Sequence, residues 1–362
     1  MDPSELAVDA EELRRLAECA KEPIRTPGSI QSHGTLLGVD PAAATVVVAS
    51  ENAAGWLGRP IAEAGNAALE YAARTGNAVD PARVEWAGEP ADAVVHRVDG
   101  LAIVELEPVV DGLEYVRTGV VSAIQRLSTI GSVEELRREA VVELRRLTGF
   151  DRVMMYHFHP DGHGEVVADE HAEGMEPYLG LHFPSSDIPP QARALYVTKL
   201  CRAIVSTSDP GIPLVALPGS PYADDVRALD LSHAELRSVS PYHLQYMRNM
   251  GQASTVSFSI VEQGRLVGMI TCAHRTVRRL PVLLRRSLEV LATQIGMQLA
   301  SLTEIERLRR TVEVRERRAA LLAPLYASDD IPEALLGGSR TVLDLVPADG
   351  VIVRIDGESR TA

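Results

Sequence analysis

Apolar residues along this chain switch between a strand-like and a helix-like period. The first clear runs are short and rich in β-branched residues: Gly34–Val39, Ala44–Ser50, Ala93–Val98 and Leu101–Leu106. Short helical pieces, Ala53–Trp56 and Ile61–Gly65, fall between them. Strands flanking short helices predict one α+β module over residues 21–117, preceded by a polar helical segment, residues 1–20. A helical period then takes over, from Glu114 through Leu127 and again from Ser132 to Leu147, where Ser132-Val-Glu-Glu135 has the spacing of a capping box. Asp151–Phe158 and Gly164–Ala168 read as a hairpin around Pro160-Asp-Gly, and Ser254–Val261 and Arg265–Cys272 as later strands. Val197–Ile204 reads as helical. These elements predict a second α+β module over residues 118–302.

From Pro281 a long helix is expected. Leu284, Leu288, Leu291, Ile295, Leu302, Ile305 and Val312 recur at spacings of three, four and seven, the pattern of a core stripe or of a helix–helix seam between two copies. Pro324 is the first strong breaker, and Val346–Gly357 reads as a turn and one strand. Residues 303–362 thus hold a linker helix and the incomplete start of a third domain.

Composition narrows the function classes. The net charge of −14 over 362 residues argues against nucleic acid as a partner. The late arginines, Arg307 to Arg318, alternate with glutamates as on a solvated helix face. The chain starts Met-Asp-Pro-Ser-Glu, without a basic and apolar leader, and has no apolar run of membrane length. Its three cysteines lack paired spacing, which suits a reducing compartment. A cytoplasmic protein with no membrane partner is the expectation. Cys201 and Cys272 lie in apolar runs and read as small buried hydrophobes, whereas Cys19 stands in a charged, proline-bounded leader. His157, His159, His163 and His171 cluster in sequence, and two of them could share a strand face; no metal is assigned to them at this level.

Three stretches carry specific chemistry. Pro184-Ser-Ser-Asp187-Ile188-Pro189 holds an acid on backbone stiffened by prolines, directly before a helical run, Gln191–Tyr196. Ser240-Pro-Tyr-His243-Leu-Gln-Tyr246-Met-Arg-Asn-Met250 is the second, and Cys19-Ala-Lys-Glu-Pro-Ile-Arg-Thr-Pro-Gly-Ser-Ile-Gln-Ser-His-Gly34 the third. In this order they resemble the signatures of the bacterial phytochromes. The resemblance implies a PAS domain and a GAF domain, each an antiparallel sheet with flanking helices, joined by a figure-of-eight knot in which Glu22–Ser32 passes under a GAF loop of residues 205–236. It also implies the start of a PHY domain.

What the family does sets further expectations. The chain would be a red/far-red light receptor binding a linear tetrapyrrole covalently and relaying its photoisomerisation to an output module. Cys19 would form the thioether. Plant and many cyanobacterial relatives carry the cysteine just before the signature histidine, where this chain has Tyr242. The implied pigment is therefore biliverdin. The Asp187 backbone carbonyl would face the pyrrole nitrogens, with His243 beside them, and Ile188 is counted among the pocket residues. Arg237 and Arg202 would hold one propionate, and Thr255 and Ser257 the other. Tyr156, Phe183, Tyr196 and Tyr246 would wall the pocket. His274 is counted among the pocket residues. The family usually reads Cys-His-His where this chain reads Cys272-Ala273-His274, so a contact to the last ring is missing. A homodimer through the long helices is expected, and the downstream partner is open. No catalytic motif is present, although full-length relatives are often sensor histidine kinases. A bilin-binding module that does not signal, or a GAF sensor of another small molecule, is the alternative.

Overall fold

The computed structural model describes residues 22–75, 79–110, 114–337, 341–344 and 348–362. The expected N-terminal helix, and Cys19 with it, lie outside the described residues. The chain forms two compact units that divide between Met297 and Gln298.

The first unit opens with strands β1 (Ser29–Ile30), β2 (Thr35–Asp40) and β3 (Thr45–Ser50), short 3-10 turns, and helix α1 (Ala67–Thr75). Strands β4 (Val79–Trp86), β5 (Glu89–Val98) and β6 (Leu101–Pro108) follow. The middle of β2 and nearly all of β3 are buried on both faces, which explains their continuous apolar runs. Leu37, Val39 and Val46 pack into one core with α1, while Leu36, Val47 and Val48 face a second core. That second core is completed by Leu214, Leu229, Leu231 and Leu236, which lie far along the chain.

Helices α2 (Glu114–Ser128) and α3 (Val133–Thr148) come next. The expected cap is present: Ser132 Oγ accepts from the Glu135 N–H at 3.3 Å. A second sheet holds β7 (Arg152–Phe158), β8 (Gly164–His171), β9 (His182–Phe183), β10 (Cys201–Ile204), β12 (Ser254–Glu262) and β13 (Arg265–His274) in the order β10-β12-β13-β7-β8-β9. Helices α4 (Pro190–Thr198) and α5 (Pro241–Asn249) belong to this half.

Strand β11 (Ile212–Ala216) lies between β10 and α5 in sequence yet joins the other sheet, whose order is β1-β11-β3-β2-β6-β5-β4. The long loop of the second module is thus built into the first. Leader residues 22–32 lie against both of its limbs. Buried Gln31 donates to Ala203 O (3.0 Å) and accepts from the Val205 N–H (3.0 Å), and its own N–H donates to Leu236 O (2.7 Å). The Ser32 N–H donates to Asp209 (2.8 Å), and the Leu231 N–H to Arg25 O (2.8 Å). The approach is close enough to select glycine: a Cβ on Gly34 would lie 2.6 Å from the Leu236 side chain.

The long helix, α6, spans Val282–Ala327. Leu284, Leu288, Leu291 and Ile295 are buried, whereas Ile305 and Val312 are exposed, so the stripe changes role along its length. After α7 (Ile331–Leu336), β14 (Ile352–Ile355) and β15 (Glu358–Thr361) pair as a hairpin.

Three sequence readings need correction. Cys201–Ile204 is a strand, not the end of a helix: Lys199 is already extended (φ −122°, ψ 103°), and all four residues are buried against β12. Pro324 does not end α6, which continues three residues past it to Ala327; the helix there goes without the bond that an N–H at position 324 would give the carbonyl of residue 320. The C-terminal turn-and-strand is a full hairpin, because Asp356 and Gly357 both take positive φ (51° and 91°), as a tight turn between twisted strands requires.

Candidate functional site

The site grows from the proline-rich loop. Pro184 and Pro189 are extended (ψ 154° and 161°), and between them Ser185–Asp187 form a single 3-10 turn. Pro190 then starts α4 at its first turn, where a missing N–H costs nothing. Arg193, one turn into α4, locks the loop: its guanidinium donates to Ile188 O (2.8 Å) and Gly162 O (2.6 Å) and stacks 4.5 Å over Phe158. Sequence reasoning passed over Arg193, although it stands inside the first signature.

Asp187 and Ile188 thereby face a cavity with two lobes, of about 100 Å³ and 560 Å³. Both lobes are lined by Asp187, Ile188, Tyr196, Ile204, His243 and Tyr246, so they adjoin across these side chains. Tyr156 and Phe183 wall the smaller lobe edge to face, 5.7 Å apart. The Tyr246 hydroxyl donates to Asp187 (3.3 Å), and its ring lies 6.2 Å from His243. Burial, with Tyr246 and Asp187 close by, pushes the Tyr156 phenol up; burial and Asp187 do the same to Tyr246. Both remain hydroxyl donors. His243 is pulled down to about 4 by burial and by Arg202, so at neutral pH it is an uncharged imidazole.

The polar wall comes from strand alternation. Thr255 and Ser257 on β12 and Thr271 on β13 line the cavity, while Val256 and Phe258 point into the core. On the larger lobe stand Arg202 and Arg237, both buried. Arg202 donates from Nη2 to Arg237 O (2.6 Å) and Ser238 O (3.0 Å). Arg237 donates from Nη1 to Ile24 O (2.7 Å). Arg202 Nη1 and Arg237 Nε are buried without a hydrogen-bond partner, and among the described residues neither arginine forms an ion pair. Burial and Arg202 pull Arg237 down to about 9, so it stays charged at neutral pH. Two buried cations left partly unsatisfied call for an anion.

The strand order also decides positions 273 and 274. Ala273 pairs with Thr255 and shares the parity of Thr271, on the cavity side. His274 points to the other face. Its Nδ1 lies 3.1 Å from the Asp151 N–H and 3.0 Å from the Asp151 carboxylate, and its ring packs 5.5 Å from Phe150. The expectation that His274 belongs to the pocket fails on this alternation. Eleven of the other expected residues line the cavity together: Tyr156, Phe183, Asp187, Ile188, Tyr196, Arg202, Arg237, His243, Tyr246, Thr255 and Ser257. Met154, Met247, Met250 and Met269 complete the wall of the smaller lobe and went unremarked in the sequence, where methionine has no spacing rule.

Comparison with known proteins identifies the two domains. A PAS fold model matches residues 19–109 and a GAF domain model residues 132–301. The chromophore-binding domain of an unusual bacteriophytochrome from R. palustris is 36% identical and superposes with a TM-score of 0.72, covering 80% of this chain and 99% of that domain. This chain belongs to the bacterial phytochrome family. The photosensory core module of the Stigmatella aurantiaca phytochrome is 32% identical with a TM-score of 0.79, over 95% of this chain and 72% of that one. Among curated phytochromes, cyanobacterial phytochrome B of Nostoc sp. is 32% identical over 96% of this chain, and the bacteriophytochrome of Pseudomonas aeruginosa 33% over 95%. This phytochrome chain spans about half the length of those two relatives, 49% of each. No helix among its described residues is long and apolar enough to cross a membrane.

Proposed function

We propose that this chain is the pigment-binding part of a red/far-red light receptor, and that its pigment is biliverdin, held covalently by Cys19. The observation that carries the reading is the pair of incompletely satisfied guanidinium groups, Arg202 and Arg237, on an aromatic-walled cavity of ligand size. A linear tetrapyrrole with two propionates fits that donor set. Arg202 and Arg237 would hold one carboxylate, Thr255 and Ser257 would donate to the other, and Tyr156, Phe183 and Tyr246 would enclose the end ring. Neutral His243 and the Ile188–Asp187 backbone would face the pyrrole nitrogens. The pigment, once bound, supplies the light-driven double-bond isomerisation; the protein excludes water and fixes the ends.

The structure favours Cys19 as the thiol by what it does to the other two cysteines. Cys201 and Cys272 are buried. Burial pushes Cys201 up to about 12 and raises Cys272 as well, so neither is a useful nucleophile. Ile24, five positions after Cys19, lines the larger lobe. Addition of the thiol across a pigment vinyl group forms one C–S bond, and the thiol hydrogen ends on the neighbouring carbon, with no change in redox balance.

The leader contacts with residues 203–209 and 231–236 support the threaded, knotted arrangement. The exposed Ile305, Leu308 and Val312 on α6 support parallel dimerisation, which light scattering would check. An output module and its partner would follow in a longer chain.

The test is co-expression with a biliverdin source, with absorption spectra before and after red light. The expected result is a red band that converts with light. In Cys19→Ala the zinc-induced fluorescence of the denatured protein should vanish. Covalent pigment persisting in that variant would move the bond elsewhere, and no red-absorbing adduct in the wild type would overturn the reading.

A further inference from the structure

On the face of the second sheet opposite the cavity, the same three strands carry a cluster of imidazoles. Phe158, Gly164 and Phe183 line the cavity at the ends of β7, β8 and β9. Their neighbours His157, Glu165 and His182 point the other way and lie in one row across the strands, with Glu165 paired to both histidines in register. His159 and His163 close the hairpin, bound to each other through the His159 N–H and His163 O (3.0 Å). One nitrogen from each of His159, His163 and His182 lies within 4.8 Å of the other two.

We propose that His159, His163 and His182, with Glu165 beside them, bind a divalent transition metal of the zinc, nickel or cobalt class. The set has three marks of a metal centre. Its donors are imidazoles, which select these ions over magnesium or calcium. A carboxylate already holds one nitrogen of two of the rings: Glu165 lies 2.9 Å from His159 Nε2, and Asp161 lies 2.6 Å from His163 Nδ1. A metal-bound imidazole is oriented by such a partner on its other nitrogen. The backbone is also fixed, since the three histidines stand on a hydrogen-bonded hairpin and its paired edge strand. Three nitrogens about 2.0–2.1 Å from one ion lie some 3.4 Å apart, which side-chain rotation reaches from the observed spacing. Water would take the fourth position.

The sequence cluster pointed elsewhere. His171 turns to Asp169 at 3.2 Å and takes no part, and His182, distant in sequence, replaces it. Such an ion would clip edge strand β9 to the hairpin and stiffen the wall that Phe183 gives the cavity.

The test uses the pigment-free, untagged chain carrying Cys19→Ser, so that neither bilin nor the leader thiol binds the ion; the other two cysteines, Cys201 and Cys272, are buried. Cobalt(II) should give the visible bands of a four-coordinate site at one ion per chain, and calorimetry should show one zinc bound. His163→Ala and His182→Ala should each weaken zinc by about tenfold or more. His171→Ala should leave it unchanged. Far-ultraviolet circular dichroism checks that each variant is folded. Zinc binding that survives in the folded triple variant His159→Ala/His163→Ala/His182→Ala, or no binding to the parent at millimolar zinc, would overturn the site.

Discussion

Two buried polar regions of this phytochrome use the same residue types to opposite ends. Around the cavity, Arg202 and Arg237 meet backbone carbonyls and form no ion pair among the described residues. At the seam between the two sheets, Glu105, Glu107 and Glu235 each have partners. Glu105 accepts from the Glu235 and Leu236 N–H groups (3.0 and 2.7 Å). Glu107 takes both terminal nitrogens of Arg285 (2.5 and 3.1 Å) and lies 3.4 Å from His33. Glu235 pairs with Lys199 and with Arg286 (2.9 Å). Burial alone would raise Glu107 and Glu235, but their cationic neighbours hold both well below the usual carboxylate range. Both regions hold buried nitrogens without a hydrogen-bond partner, Arg285 Nε at the seam and Arg202 Nη1 and Arg237 Nε at the cavity; what separates them is that the seam charges are ion-paired and, among the described residues, those of the cavity are not.

The comparison is broken most severely at the seam. Arg285→Met should leave Glu107 buried and uncompensated and destabilise the fold by about 3–5 kcal/mol, read by denaturant unfolding. Glu107→Leu in the same chain should restore much of the loss. If the single variant unfolds like the parent, the seam is not structural.

At the cavity the same kind of change should spare the fold. Arg237→Met should shift the stability of the pigment-free protein by no more than about 1 kcal/mol, since the lost bond to Ile24 O is set against relief of a desolvated charge. Biliverdin affinity should fall roughly ten- to hundredfold, the worth of one charged hydrogen bond. A pigment titration followed by absorbance would show it, and unchanged affinity would remove Arg237 from the site.

Two buried groups, His243 at the cavity and Glu105 at the seam, titrate with opposite slopes. His243 sits below its ordinary value, at about 4, so its contribution is complete above pH 6.5 and is lost as pH falls through that window. Glu105 is raised to about 7 by burial and by Glu235, so its contribution is complete below pH 4.5 and is lost as pH rises to 7. His96, near the seam, is held at about 4 by burial and Lys199 and slopes as His243 does. Melting curves at pH 5 and pH 7.5 should therefore show His243→Gln narrowing the gain with pH and Glu105→Gln widening it. The same sign for both variants would refute the assignment.

The smallest effect is expected at Ala273. A histidine there would reach the cavity from the side of Thr255 and Thr271 and add one neutral hydrogen bond to the end ring, about 1 kcal/mol. Ala273→His should sharpen the red band and change the extent of photoconversion. Superimposable spectra and yields would show that this position tunes nothing.

How much of this was legible beforehand follows from the range of each interaction. Strands β2, β3, β5, β6, β7, β8, β12 and β13 and the Ser132 cap follow from period and local chemistry, which neighbours in sequence decide. The first two signatures carry Asp187, Ile188, Tyr196, His243 and Tyr246 of the cavity lining, because stiff loops and helix starts are local as well, whereas Tyr156, Arg202, Arg237, Thr255 and Ser257 reach it from outside the signatures. The error at His274 was one of parity, invisible until β13 had a partner in register. Cys201 read as helical because a short, fully buried run has no period of its own. What only the tertiary structure decided is long-range. It put β11 in the other module's sheet, set Gln31 between the limbs of a loop nearly two hundred residues away, exchanged His171 for His182 in the imidazole cluster, and brought Arg202 and Arg237 together on one cavity with no ion pair among the described residues. Local sequence fixes which backbone is comfortable where; which charges end up paired depends on chain segments that meet only after folding.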